Sequence, residues 1–218
     1  TLGTGLSRNA SQVFANQLVT NAKRDIEGTF KKVWNIRGVK DANYSETRLP
    51  EVPSAIIETL SHQNFGDMKL GQDPNFKFTL ARSIYKSILR HTASLHKRPY
   101  IVQPLAPDNF RIEYVSKDKV RLKWNGVNDP LEPTAKPTSY NIYMATGTSG
   151  FDNGVNVNGN SYEITLEPNV LYNFRVTACN HGGESFPTEV LSAYHKEGAK
   201  QTILIVNGFH RLSSPAII

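Results

Sequence analysis

A glutamate that directly follows a short apolar run is the residue of this chain best placed to do chemistry. Glu58 comes after Ala55, Ile56 and Ile57, and such a run without polar alternation suits a strand covered on both faces. Because an open α/β sheet places its chemistry at the carboxyl ends of its strands, we expect the Glu58 carboxylate to act as a general acid or base. A solvated or salt-bridged Glu58 is the alternative that the sequence leaves open.

Two arginines upstream of this run are weaker candidates for the same site. Arg37 and Arg48 could each orient the Glu58 carboxylate or contact a substrate, since a guanidinium matches a carboxylate with two parallel hydrogen bonds. A structural ion pair is an equally good interpretation of either residue.

The sequence holds no metal or cofactor motif. No His-Glu-x-x-His spacing, nucleophile elbow, phosphate loop or dinucleotide fingerprint occurs. The single cysteine, Cys179, excludes an intrachain disulfide and is interpreted as a packing residue within a strand. For all six histidines we expect surface or capping roles: His62, His91, His96, His181, His195 and His210.

Composition and charge indicate a folded chain of two modules. The 218 residues are 39% hydrophobic and 20% charged, which excludes disorder, and the length suggests two domains. Residues 1–100 hold 15 Lys and Arg against 8 Asp and Glu, whereas residues 101–218 hold 10 against 11. No run of Lys and Arg exceeds two residues, so we expect no nucleic-acid partner. A weak preference for an anionic polymer such as cell wall also fits the basic half.

The sequence shows no segment for membrane insertion. No apolar run approaches the roughly 18 to 20 residues that span a bilayer, and the first residues lack the features of a signal peptide. We therefore expect any export signal to lie upstream of Thr1.

Helical periodicity dominates the first hundred residues. Apolar residues three or four positions apart predict a helix over Asn9 to Phe30, with Ser7 as its N-cap, and a second helix over Phe76 to Leu89. Between them we predict a short bridge or strand over Trp34 to Val39, a buried strand over Ser54 to Leu60 and a loop at Gly66, Gly71 and Pro74.

Strict alternation replaces this periodicity beyond Pro99 and predicts an antiparallel sandwich. The predicted strands are Phe110 to Val115, Val120 to Trp124, Ser139 to Ala145, Ser161 to Leu166, Tyr172 to Asn180 and Glu189 to Tyr194. The row Val120, Leu122 and Trp124 faces one way, and Arg121 and Lys123 face the other.

This second module resembles a fibronectin type III domain over about Ala106 to Tyr194. The match depends on Trp124 in the second strand, on Tyr140 and Ile142 in the third, and on the segment from Leu166 to Tyr172. The resemblance implies that the Tyr172 hydroxyl bonds back to upstream backbone. It also implies a spacer or adhesion module that has no chemistry of its own.

The first module resembles the C-terminal part of a zinc-dependent N-acetylmuramoyl-L-alanine amidase domain, over about residues 7–92. Three features carry the resemblance: the stretch Arg37-Gly38-Val39-Lys40, Arg48 at the family's spacing, and the run Pro53-Ser54-Ala55-Ile56-Ile57-Glu58. Residues 76–91 resemble the family's C-terminal helix. The fold class implied for the chain is therefore a partial α/β segment, an amidase-like open sheet with helices, followed by an all-β fibronectin type III sandwich.

The resemblance implies hydrolysis of the amide between the lactyl group of N-acetylmuramic acid and L-alanine. In this family zinc generates a hydroxide from bound water, and the glutamate at the place of Glu58 takes up the proton of that water. The family's zinc ligands, two histidines and a glutamate, lie N-terminal to the matched segment. We therefore expect zinc in an intact parent enzyme, no metal ligand in this chain, and no hydrolysis by the chain alone.

These observations predict three segments: residues 1–100 as the C-terminal portion of an amidase-like domain, 104–197 as the fibronectin type III domain, and 201–218 as the first strand of a further domain. The last prediction comes from the apolar run Thr202 to Phe209; an extra strand docked on a neighbouring sheet is the alternative. The oligomeric state stays open.

The function predicted is that of a secreted, periplasmic or cell-surface hydrolase fragment whose partner is peptidoglycan or another cell-wall glycan. Two alternatives stay open. One is a non-catalytic fibronectin type III protein that binds carbohydrate or a surface. The other is part of a protein of the kind labelled xanthan lyase, although no residue set in the chain argues for β-elimination.

Overall fold

The computed structural model describes residues 5–50 and 52–206, with side chains from residue 8 onward. Four helices precede the sandwich: α1 (Gly5–Phe30), α2 (Ser45–Arg48), α3 (Phe65–Gln72) and α4 (Pro74–Leu95). Helix α1 begins before the predicted Asn9, so Ser7 lies inside the helix and its prediction as the N-cap was wrong.

Helices α1 and α4 pack against each other and form the helical unit of the chain. Leu18 and Ile26 of α1 and Phe76 of α4 are buried in this contact region. The Phe76 ring lies 6.0 Å from the ring of Phe30 and 5.5 Å from that of Trp34. Aromatic and aliphatic burial therefore holds the two helices together.

The residues predicted as a loop before α4 instead form α3. The Asn64 side chain caps this helix by accepting hydrogen bonds from the backbone N–H groups of Gly66 and Asp67. Asp73 caps α4 in the same way through the N–H of Asn75, and Pro74 takes the first position of the helix, where its missing N–H costs nothing. Gly66, Gly71 and Pro74 favour a loop in the sequence, but the N-caps Asn64 and Asp73 start two helices in this segment.

The buried strand predicted over Ser54 to Leu60 is wrong, as is the bridge or strand predicted over Trp34 to Val39. Residues 31–44 and 52–61 have neither helix nor strand, and Ile56 is 47% exposed. A strand needs a neighbouring strand to pair its backbone groups, and the described part of residues 1–100 contains none. The open sheet of the predicted α/β segment is therefore not seen there.

The sandwich follows as eight antiparallel strands. They are β1 (Asp108–Tyr114), β2 (Lys119–Asn125), β3 (Ser139–Thr146), β4 (Val155–Val157), β5 (Ser161–Thr165), β6 (Leu171–Asn180), β7 (Gly183–Glu184) and β8 (Leu191–Tyr194). One sheet has the order β1-β2-β5, and the other has the order β4-β3-β6-β7 with β8 also paired to β6. All six predicted strands are confirmed, with bounds that shift by one or two residues; β4 and β7 were not predicted.

The inward rows of both sheets form one core. Its buried members are Val120, Leu122, Trp124, Tyr140, Ile142, Leu166, Tyr172, Phe174, Val176, Ala178 and Ala193. The predicted row on β2 is confirmed, because Val120, Leu122 and Trp124 are at most 1% exposed. The Tyr172 hydroxyl accepts a hydrogen bond from the Glu167 N–H at 3.3 Å, so the implied return to upstream backbone is confirmed.

Ion pairs and backbone contacts join the helical unit to one end of the sandwich. Arg82 Nε of α4 lies 2.8 Å from Asp129 Oδ2 in the loop between β2 and β3, and Arg90 pairs with Glu132 of the same loop. The Asn180 side-chain amide donates to the carbonyl of Val102 at 2.9 Å. This junction ties two parts of the sandwich end, the loop between β2 and β3 and the end of β6, to α4 and to the segment that follows it.

Beyond β8, residues 201–206 form no strand, and Ile203 to Val206 are 78 to 87% exposed. The predicted strand over Thr202 to Phe209 is therefore not seen in its first five residues. The rest of it, with the remainder of the segment 201–218 and His210, lies outside the described residues. Among the described helices, none is long and apolar enough to cross a membrane.

Candidate functional site

Glu58 lies on the surface of the helical unit, in the irregular segment between α2 and α3. Two anchors fix this segment. The N–H of Ser54 donates to Ser11 Oγ of α1 at 3.2 Å, and the N–H of Ser61 donates to Asp67 Oδ2 of α3 at 2.9 Å. Glu58 is exposed between the anchors, and within the described chain its carboxylate has no hydrogen bond or ion pair. The carboxylate is thus available to a ligand, and its catalytic role stays a prediction.

Arg37 and Arg48 are exposed as well. Arg37 precedes Gly38, which has a φ of +75°, and Arg48 is the last residue of the short helix α2. No ion pair with an N···O distance up to 4.0 Å links either arginine to Glu58. The structure therefore shows no ion pair among the three side chains, and the orienting role of the arginines stays a prediction.

The described residues provide no group of three or more His, Cys, Asp or Glu side chains that could hold a metal ion. Two histidines differ from the predicted surface or capping role. His91 Nδ1 lies 2.9 Å from Gln17 Oε1, and its ring contacts that of Phe14 at 5.0 Å. His195 is 8% exposed. Both were misjudged because their burial depends on contacts between distant segments, whereas His96 does cap the C-terminus of α4.

Helix α4 buries Phe76 near its start, but farther along it turns apolar side chains outward and polar side chains inward. Ser83, Lys86 and Ser87 are at most 1% exposed, whereas Phe78 and Ile88 are 47% and 48% exposed. An open groove runs along the outward face, lined by Ala81, Ile84, Tyr85, Ile88, Leu89 and Thr92. An amphipathic helix is stable when its apolar stripe is covered, so the exposed part of this face is a packing surface without a partner among the described residues.

The inward face of α4 contains an ion pair that sequence reasoning missed. Lys86 Nζ lies 2.8 Å from Asp25 Oδ2 of α1, with side-chain exposures of 2% and 1%. A second carboxylate oxygen, Asp25 Oδ1, accepts from Arg24 at 3.2 Å. The sequence gives no sign of this pair, because Asp25 and Lys86 lie on different helices and each has the pattern of an ordinary exposed charged residue.

The outer face of the β3 and β6 sheet carries a second cluster that sequence reasoning missed. The Tyr143 hydroxyl donates to Glu184 Oε1 at 2.6 Å, and the Thr177 hydroxyl donates to the same oxygen. Burial works to raise the pKa of Glu184, but the hydrogen bonds from Thr177 and Tyr143 outweigh it and hold that pKa below its usual value. The bond to Glu184 raises the pKa of Tyr143.

Arg175 stands beside Tyr143 in this cluster. Its guanidinium carbon lies 5.1 Å from the centre of the Tyr143 ring and 4.2 Å from that of Phe151. Cys179, also on β6, is half-buried, as its predicted packing role requires, and burial raises the pKa of its thiol. Neither Arg175 nor Phe151 was a candidate in the sequence, because the loop that carries Phe151 reads only as a turn.

Two antiparallel sheets with an inward Trp124 and a bonded Tyr172 hydroxyl define a small β-sandwich of the immunoglobulin-like class. Residues 105–194 match the family described as "Fibronectin type III domain", and this part of the chain is a fibronectin type III domain. The chain has no match among curated proteins.

Three solved structures illustrate the similarity. The first, titled "Myokine structure", is 18% identical, with 44% of this chain and 100% of that chain covered and a TM-score of 0.37. The FN1–FN3 domains of chicken CNTN1 are 18% identical, with coverage of 43% and 33% and a TM-score of 0.37. The twitchin kinase region from C. elegans is 21% identical, with coverage of 46% and 18% and a TM-score of 0.40.

Proposed function

We propose that the helical unit is the C-terminal part of an amidase domain that cleaves the N-acetylmuramoyl-L-alanine amide of peptidoglycan outside the cytoplasm. The fibronectin type III domain holds this unit as a rigid support. The observation that carries the proposal is the outward apolar face of α4, because an α/β domain covers that face of a helix with a sheet.

The energetics of α4 favour a missing layer. Full burial of a side chain such as Ile88 or Phe78 is worth about 1.5 to 3 kcal/mol, and both are about half exposed. The same helix buries Lys86 and Ser83, whose burial is costly, and Ser83 Oγ has no hydrogen-bond partner. A helix with this distribution fits a position between two layers. Helix α1 and the sandwich form the layer on its polar side, and a second layer would cover its apolar side.

The irregular segments on either side of α2 also favour a further layer over the helical unit. Val33, Ile36 and Val52 are 47 to 82% exposed, and the segments that carry them form no ladder. A sheet beside α4 would pair the backbone of residues 54–58 and cover Ile56. Residues 54–58 form no strand in the described structure; with such a sheet in the intact domain, Glu58 would end a paired strand, which is the position that the amidase resemblance assigns to the family's glutamate.

The chemistry proposed for this chain is a proton transfer by Glu58. The described residues do not fit a zinc ion by themselves, so the proposal requires ligands from outside them. Zinc, where bound, supplies a water of lowered pKa. Glu58 would accept a proton from the attacking water and return it to the amide nitrogen. The bond between the lactyl carbonyl carbon and that nitrogen would break, which leaves a lactyl carboxylic acid and a free amino group on L-alanine.

The test uses the native gene product, captured with an antibody against the sandwich and incubated with peptidoglycan. New amino-terminal L-alanine is counted by amine labelling and mass spectrometry. We expect alanine termini to accumulate, to stop after chelation and to return with zinc. A product that binds zinc and releases no alanine termini contradicts the proposal.

A non-catalytic role in binding a glycan or a surface is the second candidate. The cluster of Tyr143, Arg175 and Glu184 favours it, since it places aromatic and charged groups on an outer sheet face. In that case the sandwich binds and the helical unit serves only as its support. Binding without release of alanine termini distinguishes this role from the first.

A further inference from the structure

We propose that the outer face of the sheet formed by β3 and β6 holds a carboxylate-binding site for an acidic glycan, with Arg175 as the residue that binds the uronate group. The proposal depends on the fibronectin type III domain alone. It holds whether or not the helical unit belongs to a hydrolase.

The guanidinium of Arg175 has unused donors. Within the described residues it forms no hydrogen bond and no ion pair, and its Nε is buried without a partner. Both terminal nitrogens reach solvent, because neither is among the buried unpaired atoms of the described side chains. A planar fork with free terminal nitrogens is the group that proteins use to bind a carboxylate through two hydrogen bonds.

Two aromatic rings fix the plane of this fork. The rings of Phe151 and Tyr143 lie 4.2 Å and 5.1 Å from the guanidinium carbon, within the range of cation–π attraction. A carboxylate that binds here meets a guanidinium that has already lost much of its rotational freedom, which lowers the entropic cost of binding.

The loop that carries Phe151 is itself pinned to β3. Asp152 Oδ1 accepts from the N–H groups of Met144 at 2.9 Å and Gly154 at 3.0 Å. Gly154 packs so closely on the Tyr143 ring that an added Cβ would lie 2.9 Å from it, and its φ is +76°. Phe151 is therefore held in place before any ligand binds.

The Glu184 carboxylate, whose charge interacts with that of Arg175, is already engaged. Glu184 Oε1 accepts from both the Tyr143 and the Thr177 hydroxyl, and no ion pair up to 4.0 Å joins Glu184 to Arg175. Glu184 therefore makes the local electrostatic potential more negative but leaves the N–H donors of Arg175 free. Because this potential weakens the attraction for an anion, the site favours a ligand that makes further polar or apolar contacts in addition to its carboxylate.

Neighbouring residues on the same face favour a sugar. Arg175 is paired with Tyr143 across the ladder, and Asn141 is paired with both Asn156 and Thr177. These side chains form a grid spaced about 7 Å along the strands and about 5 Å across them. Asn156 Nδ2 donates to Asn141 Oδ1 at 2.7 Å, so the two amides hold each other in place on this face. Aromatic rings that can pack on sugar C–H groups, polar amide side chains and one guanidinium suit a uronic acid polymer, which offers hydroxyl groups as well as carboxylates.

The test measures binding of the 218-residue chain to polygalacturonate at about 0.15 M salt, where exposed charges farther apart than about 8 Å are largely screened. Pullulan serves as the neutral glycan and polyglutamate as the peptide carboxylate. We expect polygalacturonate to bind, and pullulan and polyglutamate to bind at least about tenfold more weakly.

Three variants examine the residue assignment. Arg175→Lys keeps the charge and loses the fork, and we expect at least about tenfold weaker binding; Phe151→Leu should weaken binding several-fold. Arg121→Gln on the opposite sheet removes one charge from an exposed pair with Glu163 and should leave the affinity unchanged. Thermal unfolding of each variant checks that the sandwich is intact.

Titration of the wild-type chain with polygalacturonate, followed by amide NMR, locates the binding site without any variant, so the result does not depend on whether the variants fold. We expect polygalacturonate to shift the amides of residues 141–143, 151–154 and 173–177. The proposal is overturned by shifts confined to the β1-β2-β5 sheet, by equal binding of polyglutamate, by unchanged affinity in Arg175→Lys, by an equal loss in Arg121→Gln, or by no binding to polygalacturonate.

Discussion

Lys86 Nζ of α4 lies 2.8 Å from Asp25 Oδ2 of α1, and neither side chain is more than 2% exposed. The contact is an ion pair rather than a well-aligned hydrogen bond. Both residues line one pocket together with Asp129 and Leu131 of the sandwich loop, so the pair lies where the helices meet the sandwich. Two charges buried at a module junction make the helix packing and the domain docking depend on each other.

Loss of one member of this pair should be strongly destabilising. We expect Asp25→Asn to lower the free energy of unfolding of the helical unit by about 3 to 5 kcal/mol, because Lys86 keeps a buried charge without its counterion. Urea unfolding followed by helical circular dichroism measures the change. The matched control is Glu163→Gln in the exposed pair with Lys119, where we expect no comparable loss; an equal effect of both variants contradicts the buried-pair assignment.

Gly182 lies in a turn where a side chain has no room. A Cβ there would lie 2.2 Å from the carbonyl oxygen of Ile101 and 2.9 Å from the carbonyl carbon of Val102. We expect Gly182→Ala to push the segment after α4 away from the sandwich and to cost about 1 to 3 kcal/mol. Thermal unfolding measures the loss. Gly159→Ala is the control, since its Cβ would meet no atom within 4 Å; a neutral Gly182→Ala would contradict the docking described.

The hydrogen bond from the Glu167 N–H to the Tyr172 hydroxyl secures the turn before β6. We expect Tyr172→Phe to lower sandwich stability by about 0.5 to 1.5 kcal/mol, since the ring stays packed and only this bond is lost. Chemical unfolding followed by tryptophan fluorescence gives the value, with Trp34→Phe in every protein compared so that only Trp124 reports. Tyr162→Phe removes a hydroxyl that has no such bond in the described chain and should change stability less. The reverse order would argue against this role of Tyr172.

The lowered pKa of Glu184 gives the sandwich an acid-sensitive component. A carboxyl whose pKa is lower in the folded state stabilises that state above its ordinary pKa of 4.5, and this contribution is lost as the pH falls below that value. We expect Glu184→Gln to reduce the stability difference between pH 7 and pH 3. The urea midpoint at each pH measures this difference. The control is Glu189→Gln, whose carboxylate accepts no hydrogen bond among the described residues; a steeper pH dependence in Glu184→Gln would contradict the sign.

Alternation and periodicity predicted most of the regular structure, because both come from the geometry of single elements. Strict alternation is visible in Val120, Leu122 and Trp124 on β2 and in Tyr172, Phe174, Val176 and Ala178 on β6, so the sandwich was predictable. Strands β4 and β7 have three and two residues, too short to show alternation. Helix α3 was not predicted because Gly66, Gly71 and Pro74 favour a loop, whereas the caps Asn64 and Asp73 fix the helix in the structure.

Relations between elements were not predictable from one sequence. The apolar stripe of α4 was found by its spacing, but spacing does not show which neighbour covers the stripe, and the structure turns Phe78 and Ile88 outward. The strand predicted at Glu58 required a paired neighbour that the described residues do not contain. The cluster of Tyr143, Phe151 and Arg175 depends on the pairing of β3 with β6 and on a loop held by hydrogen bonds. Neither feature produces a recognisable motif in the sequence.

The central claim is that the Glu58 carboxylate transfers a proton during amide hydrolysis. The measurement is the rate of L-alanine terminus release by the native gene product and by its Glu58→Gln variant, both loaded with zinc. We expect the variant to bind zinc normally and to be slower by at least about two orders of magnitude, with Glu189→Gln as an active control. Equal rates in the wild type and Glu58→Gln would contradict the claim and leave the fibronectin type III domain as the functional part of this chain.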